Sequence, residues 1–237
     1  MFKWLTKKIN PVQKIDLSIF SKIVGYDDFK VLYVKALNSP YPVNNFLLGG
    51  PGTGKSEFLR CIKAELKDKA IYVDAAQTST KAGLRDLIFE KGKKTKVILI
   101  EEINLLNQTD LGIFLGLAED QRVTDIRKNV NREIRLPNLK IFATANFLPA
   151  QKKIKDAIIS RFSIYEFQAY ELEEMKKIAL HKYRTQVKDK EVLNYMIERV
   201  YYDMKTTSLR EIRHIVNLDI QTIEEVDQYF KAKLKNG

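Results

Sequence analysis

Over the first two-thirds of the chain, apolar positions gather into short, nearly unbroken runs separated by stretches of helical period. The runs are "NNFLLGG" (44–50), "AIYVDAA" (70–76), "KVILIEE" (96–102), "LKIFATAN" (139–146) and "FSIYEFQ" (162–168). Continuous apolar runs of this length, without alternation, are the mark of strands buried on both faces. Between them, segments 55–66, 81–90 and 110–117 repeat their apolar residues at helical spacing. Strand and helix in alternation predict βαβ units, and so an α/β fold with a parallel five-stranded sheet and flanking helices. From about residue 170 only helical periodicity remains, in 171–183, 190–202 and 208–234. The expected organisation is an N-terminal basic arm (1–22), solvated or docked on its own chain, an α/β domain (23–169) and a small all-helical domain (170–237).

Composition changes this picture little. A chain of 237 residues fits one large domain or a domain with a small companion. The single cysteine, Cys61, allows no internal disulfide and fits a reducing, cytoplasmic setting, where it serves as a small packed hydrophobe. No apolar run approaches the roughly 20 residues that span a bilayer, so no membrane role is expected. Charge matters more: 41 basic against 30 acidic residues leave a formal net charge of +11, which biases partners toward polyanions such as DNA.

After the first strand comes "GGPGTGKS", residues Gly49, Gly50, Pro51, Gly52, Thr53, Gly54, Lys55 and Ser56, matching G-x-x-x-x-G-K-[ST] throughout. Glycines let such a loop wrap a phosphate where side chains would clash. Its amides and the following helix N-terminus attract the anion. Lys55 is then placed to reach the β/γ-phosphates of ATP, and Ser56 to ligate Mg²⁺. At the end of the third run stand two adjacent acids, Glu101 and Glu102. Burying both ionised requires a cation. Neighbouring strand ends meet in one crevice, so that cation is either Mg²⁺ carried by a nucleotide or the partner in a structural ion pair.

Taken together, these stretches resemble an AAA+ ATPase over most of the chain. "GGPGTGKS" looks like its Walker A and "VILIEEI" like its Walker B. The resemblance implies that Glu101 serves the metal and Glu102 is the base that polarises the attacking water. The family usually has Asp where this chain has Glu101. Asn146, closing "KIFATAN", resembles sensor 1, and Arg161 in "AIISRFSIYEF" the arginine finger that reaches a neighbouring subunit. Arg210 in "TTSLREIRHIV" resembles sensor 2, with Arg213 one turn later as the alternative. The chain is further similar to RuvB and RuvB-like archaeal ATPases, in which "IVGYDDFK" (with Ile23 and Val24) lies beside the adenine. A winged-helix domain like RuvB's has no counterpart in this sequence. The implied activity is Mg-dependent ATP hydrolysis by a ring oligomer, a hexamer, with the helical region as a lid.

A motor of this kind does not specify its load. "QRVTDIRKNVNREIRLP" (121–137) reads as a hairpin turning at "KNVN" and carrying Arg122, Arg127, Lys128, Arg132 and Arg135 against Asp125 and Glu133. Such a basic hairpin suits a phosphate backbone; equally, its charges can keep a sheet edge from aggregating. The loop after the second strand, "DAAQTSTKAGL", carries no aromatic residue, unlike polypeptide-threading members. Two loads stay open: nucleic acid, as for RuvB, or a protein partner, as for MoxR-type chaperones.

Overall fold

The computed structural model describes residues 14–77, 83–127 and 130–235. The elements are α1 (Asp27–Asn38), β1 (Val43–Gly49), α2 (Lys55–Leu66), β2 (Ala70–Asp74), α3 (Gly83–Lys91), β3 (Val97–Glu101) and α4 (Gln108–Asp120). There follow β4 (Arg122–Arg127), β5 (Val130–Arg135), β6 (Lys140–Ala145), α5 (Lys152–Arg161) and β7 (Ser163–Phe167). Four helices close the chain: α6 (Leu172–Tyr183), α7 (Lys190–Tyr202), α8 (Leu209–Asn217) and α9 (Ile223–Lys235).

The sheet has five parallel strands in the order β2-β3-β6-β1-β7. All five expected strands are there, each within two residues of its apolar run. The inner strands β3 and β6 are buried at every position, because helices cover both faces of a parallel sheet. On one face Phe46, Ile98, Ile100 and Ile141 pack under Ile88 of α3, Phe114 of α4 and Ile158 of α5. On the other, Leu47, Leu99 and Phe142 pack under α1 and α2 through Tyr33, Phe58 and Ile62. An aromatic cluster binds that second face to β7, with Tyr26 stacked on Phe167 at 4.5 Å and Phe58 edge-on to Phe167 at 5.6 Å.

Two elements were not foreseen, α1 and α5. Helix α1 starts from Tyr26 in a left-handed conformation, φ +58°, with no side-chain cap, so its sequence signature is limited to the acids Asp27 and Asp28 in the first turn. Of the expected arm, residues 1–13 lie outside the described residues, and Phe20 is fully buried against Phe58. The long helical run 208–234 splits into two helices. Asp219 turns left-handed at φ +57°. A capping box then restarts the chain, with Glu225 accepting from the Thr222 amide at 3.0 Å and Thr222 Oγ1 accepting from the Glu225 amide at 3.3 Å. The four last helices share a core of their own, built on Met175, Leu193, Met196, Ile212, Ile215 and Phe230. Among the described residues no helix is long and apolar enough to cross a membrane.

Candidate functional site

One cavity lies at the carboxyl ends of β1, β3 and β6, where an open α/β sheet offers its crevice. Pro51, Gly52, Gly54, Lys55 and Ser56 form its floor. Glu102 and Asn146 stand on one side, Ile23 and Val24 on another, and Arg210 and Arg213 close it from α8. Chain segments far apart in sequence thus meet as the motifs anticipate.

The loop between β1 and α2 holds its shape through contacts that only glycine permits. Gly54 sits at φ +89°, and a Cβ there would lie 2.5 Å from the Tyr170 hydroxyl. Gly52, at φ +84°, approaches Ser208 so closely that a Cβ would meet its backbone at 3.0 Å. The start of α8 therefore packs directly on the loop, and this is what brings Arg210 to the cavity. Thr53 is buried; its Oγ1 donates to the Gly50 carbonyl, and its own carbonyl accepts from the hydroxyls of Tyr26 and Tyr170, both at 3.0 Å. These two tyrosines clamp the loop and escaped the sequence reading, for a hydroxyl 117 positions away leaves no local signal.

Lys55 leads α2, and its ammonium donates to the carbonyls of Gly49 (2.6 Å) and Gly50 (2.7 Å). It also lies 3.3 Å from Asn146 Oδ1. Burial pushes it below its ordinary range, Glu102 opposes the shift, and Arg210 adds to it. A lysine so placed is a short, partly desolvated point charge aimed into the cavity.

The two adjacent acids part company here. Glu102 is left-handed, φ +55° and ψ 47°, a costly conformation for a side-chain-bearing residue that turns its carboxylate into the cavity. Its amide donates to Thr144 Oγ1 at 3.2 Å, and Asn146 Nδ2 donates to both carboxylate oxygens at 3.0 Å. Glu101 is still in the strand and nearly buried, and it does not line the cavity. It faces a second cavity beside β2 instead, where Arg60 Nη2 lies 3.7 Å from its Oε1.

Arg161 also stands outside the first cavity. At the end of α5, its Nε donates to Glu119 of α4 at 2.9 Å. The basic hairpin is antiparallel, with Asp125 opposite Arg132. Period-two alternation places both on the inward face, where Asp125 is fully buried between Arg85 Nη1 and Arg132 Nε, each at 3.0 Å. Arg132 also pairs with Asp86 and covers the Phe89 ring at 4.1 Å. Of the basic residues expected on the hairpin, Arg132 is thus engaged with Asp125, Asp86 and the Phe89 ring. Arg122 and Arg135 face solvent, whereas the Arg127 side chain and Lys128 lie outside the described residues.

The donors of the cavity fit Mg·ATP. A glycine-lined loop that a Cβ would fill, a buried ammonium and two arginines match a polyphosphate. Ser56 offers a hydroxyl to a metal, while Glu101 points elsewhere. Lys22, Arg60 and Lys182 add three cations at the cavity wall that the motif reading missed.

Residues 44–162 match the AAA domain family, dynein-related subfamily. No curated protein matches the chain. That match covers half of the chain and contains the loop, both acids, the hairpin and Asn146; the chain belongs to the AAA domain family and is an AAA+ ATPase.

Proposed function

We propose that this ATPase binds Mg·ATP in the cavity between the sheet and α8 and couples its hydrolysis to remodelling or translocation of nucleic acid, as RuvB-like motors do. The observation that carries the catalytic part is the convergence of Lys55, the Glu102–Asn146 pair and Arg210 on one cavity. The loop amides and Lys55 hold the β- and γ-phosphates, Ile23 and Val24 flank the base, and Ser56 holds Mg²⁺. The metal supplies charge neutralisation on the phosphate oxygens. Glu102 accepts a proton from the attacking water, and Asn146 fixes the carboxylate and that water. Arg210 meets the charge that develops on the phosphoryl oxygens.

Arg161 lies away from its own cavity, which supports its delivery to a neighbour's cavity in a ring, a hexamer by resemblance. Residues 170–237 then act as a lid whose motion follows the nucleotide through the Gly52–Ser208 contact. The load is read as nucleic acid from the net charge of +11 and the basic residues along the hairpin sequence, Arg122, Arg127 and Lys128. ATPase turnover measured with duplex, single-stranded and four-way-junction DNA tests this: stimulation supports it, and unchanged turnover with no DNA retained at low salt defeats it. One observation favours a protein load instead, a MoxR-like action. Ile126, beside the turn, is 75% exposed, and stimulation by a protein partner alone would establish that reading.

A further inference from the structure

Arg60 stands four residues after Ser56 on α2, so the two share a helix face. It lines both cavities, that of the candidate nucleotide site and the neighbouring one beside β2. Its guanidinium spans two acids, with Nη1 3.9 Å from Glu57 Oε2 and Nη2 3.7 Å from Glu101 Oε1. In β3, Glu101 follows Leu99 by two positions, and Leu99 is the register partner of Tyr72. Glu101 and Tyr72 therefore occupy the same face of the sheet, the face that α2 covers. Burial first, and the Glu101 carboxylate second, push the Tyr72 hydroxyl above its ordinary range. Glu101 Oε1 is buried without a hydrogen-bond partner among the described residues. An anionic oxygen in that position is costly unless a cation compensates it, and Arg60 is the cation within reach.

We propose that Arg60 is a positioning residue for Glu101: it draws the carboxylate toward β2, away from Ser56, and thereby lowers the affinity of the site for its divalent metal. This rests on the Mg·ATP reading of the cavity. It also gives the glutamate at position 101 a physical reason. An aspartate, one methylene shorter, ends before Arg60 and leaves its carboxylate by the strand end. The extra reach of glutamate permits two positions, one on Arg60 and one toward the metal side.

The test uses the full chain saturated with a slowly hydrolysed ATP analogue and Mn²⁺ as the probe, with free Mn²⁺ read by its paramagnetic resonance signal. Arg60→Ala and Glu101→Asp should each bind Mn²⁺ about tenfold more tightly than the unaltered protein, and Arg60→Lys should stay near it. The double variant Arg60→Ala/Glu101→Gln should show no gain, because no released carboxylate remains. Unchanged or weakened Mn²⁺ binding in both Arg60→Ala and Glu101→Asp would overturn the proposal, as would an equal gain in the double variant. Binding of a fluorescent ATP analogue in the presence of Mg²⁺ separates the two levels. If the unaltered protein binds none, the nucleotide site itself fails and this proposal with it; if binding persists while metal affinity does not respond, Arg60's role alone is refuted.

Discussion

Lys55, Arg210 and Arg213 converge on one cavity with no carboxylate ion pair among the described residues, whereas Arg85, Arg132 and Arg135 at the hairpin each hold one at 3.0 Å or less. Both regions look alike as counts of charge along the chain. They differ in where the compensating anion comes from. In the hairpin it is built in, as the buried Asp125 and its neighbours. In the cavity, Lys55, Arg210 and Arg213 stand around the space above the glycine loop, and an anionic ligand there would supply their counter-charge. Of the two glutamates that line the cavity, Glu57 and Glu102, Glu102 is held by the side-chain amide of Asn146.

The comparison is broken most sharply at Arg161, a cation with a built-in partner that the proposed mechanism lends to a neighbouring subunit. Arg161→Ala should lower turnover by about 10³- to 10⁵-fold, the size of an arginine-finger effect, while nucleotide binding persists. Mixing it with a Glu102→Gln variant should restore part of the activity if the finger acts between subunits, because some interfaces then pair an intact finger with an intact base. Steady-state assays on each variant and on the mixture decide this, and a turnover loss under tenfold would remove Arg161 from the mechanism. Glu102→Gln alone should lose about 10²- to 10⁴-fold, the worth of a general base. It should keep ATP bound, as judged by equilibrium binding of a fluorescent analogue; rapid hydrolysis by that variant would reassign the base.

Within the hairpin the expected loss is of stability. Asp125→Ala removes the buried carboxylate that Arg85 and Arg132 share and leaves Arg132 its pair with Asp86. Removing one partner of a buried ion pair costs about 3–5 kcal/mol; the lower end is expected, because both arginines keep partial access to water. Chemical denaturation reads this directly, and a change below about 1 kcal/mol would show that the buried pair contributes little. Asp125→Asn should recover part of the loss by keeping one acceptor.

What was legible in the chain follows from the same distinction between local and distant causes. Buried parallel strands need unbroken apolar runs, so all five strands could be located, and α2 begins at Lys55 as the glycine loop requires. The candidate cavity was visible because its motifs are contiguous stretches. Orientation was not. That Glu101 and Glu102 face different cavities depends on the left-handed turn at Glu102, which nothing in "IEEIN" announces. Tyr26 and Tyr170 reach Thr53, and Arg60 reaches Glu101, from elements distant in sequence. The inward position of Arg132 was within reach of the sequence: counting by twos from Val123 and Ile134 assigns it to the buried face.

That inward position gives the finest test of the comparison. If the hairpin carries nucleic acid, the cations facing solvent contact phosphates and those facing the fold do not. Arg122, with its acidic neighbours Asp120 and Glu133 no closer than 3.7 Å, can exchange them for a phosphate. Arg132 can do so only by abandoning the buried Asp125. Arg122→Ala should therefore reduce the dependence of log affinity on log salt concentration by about one unit, the contribution of a single phosphate contact. Arg132→Ala should leave that slope unchanged and lower stability instead. DNA binding titrated between low and moderate salt, beside denaturation of the same two variants, separates the effects. Equal slopes for Arg122→Ala and the unaltered protein would shift the load toward the exposed Ile126 and a protein partner.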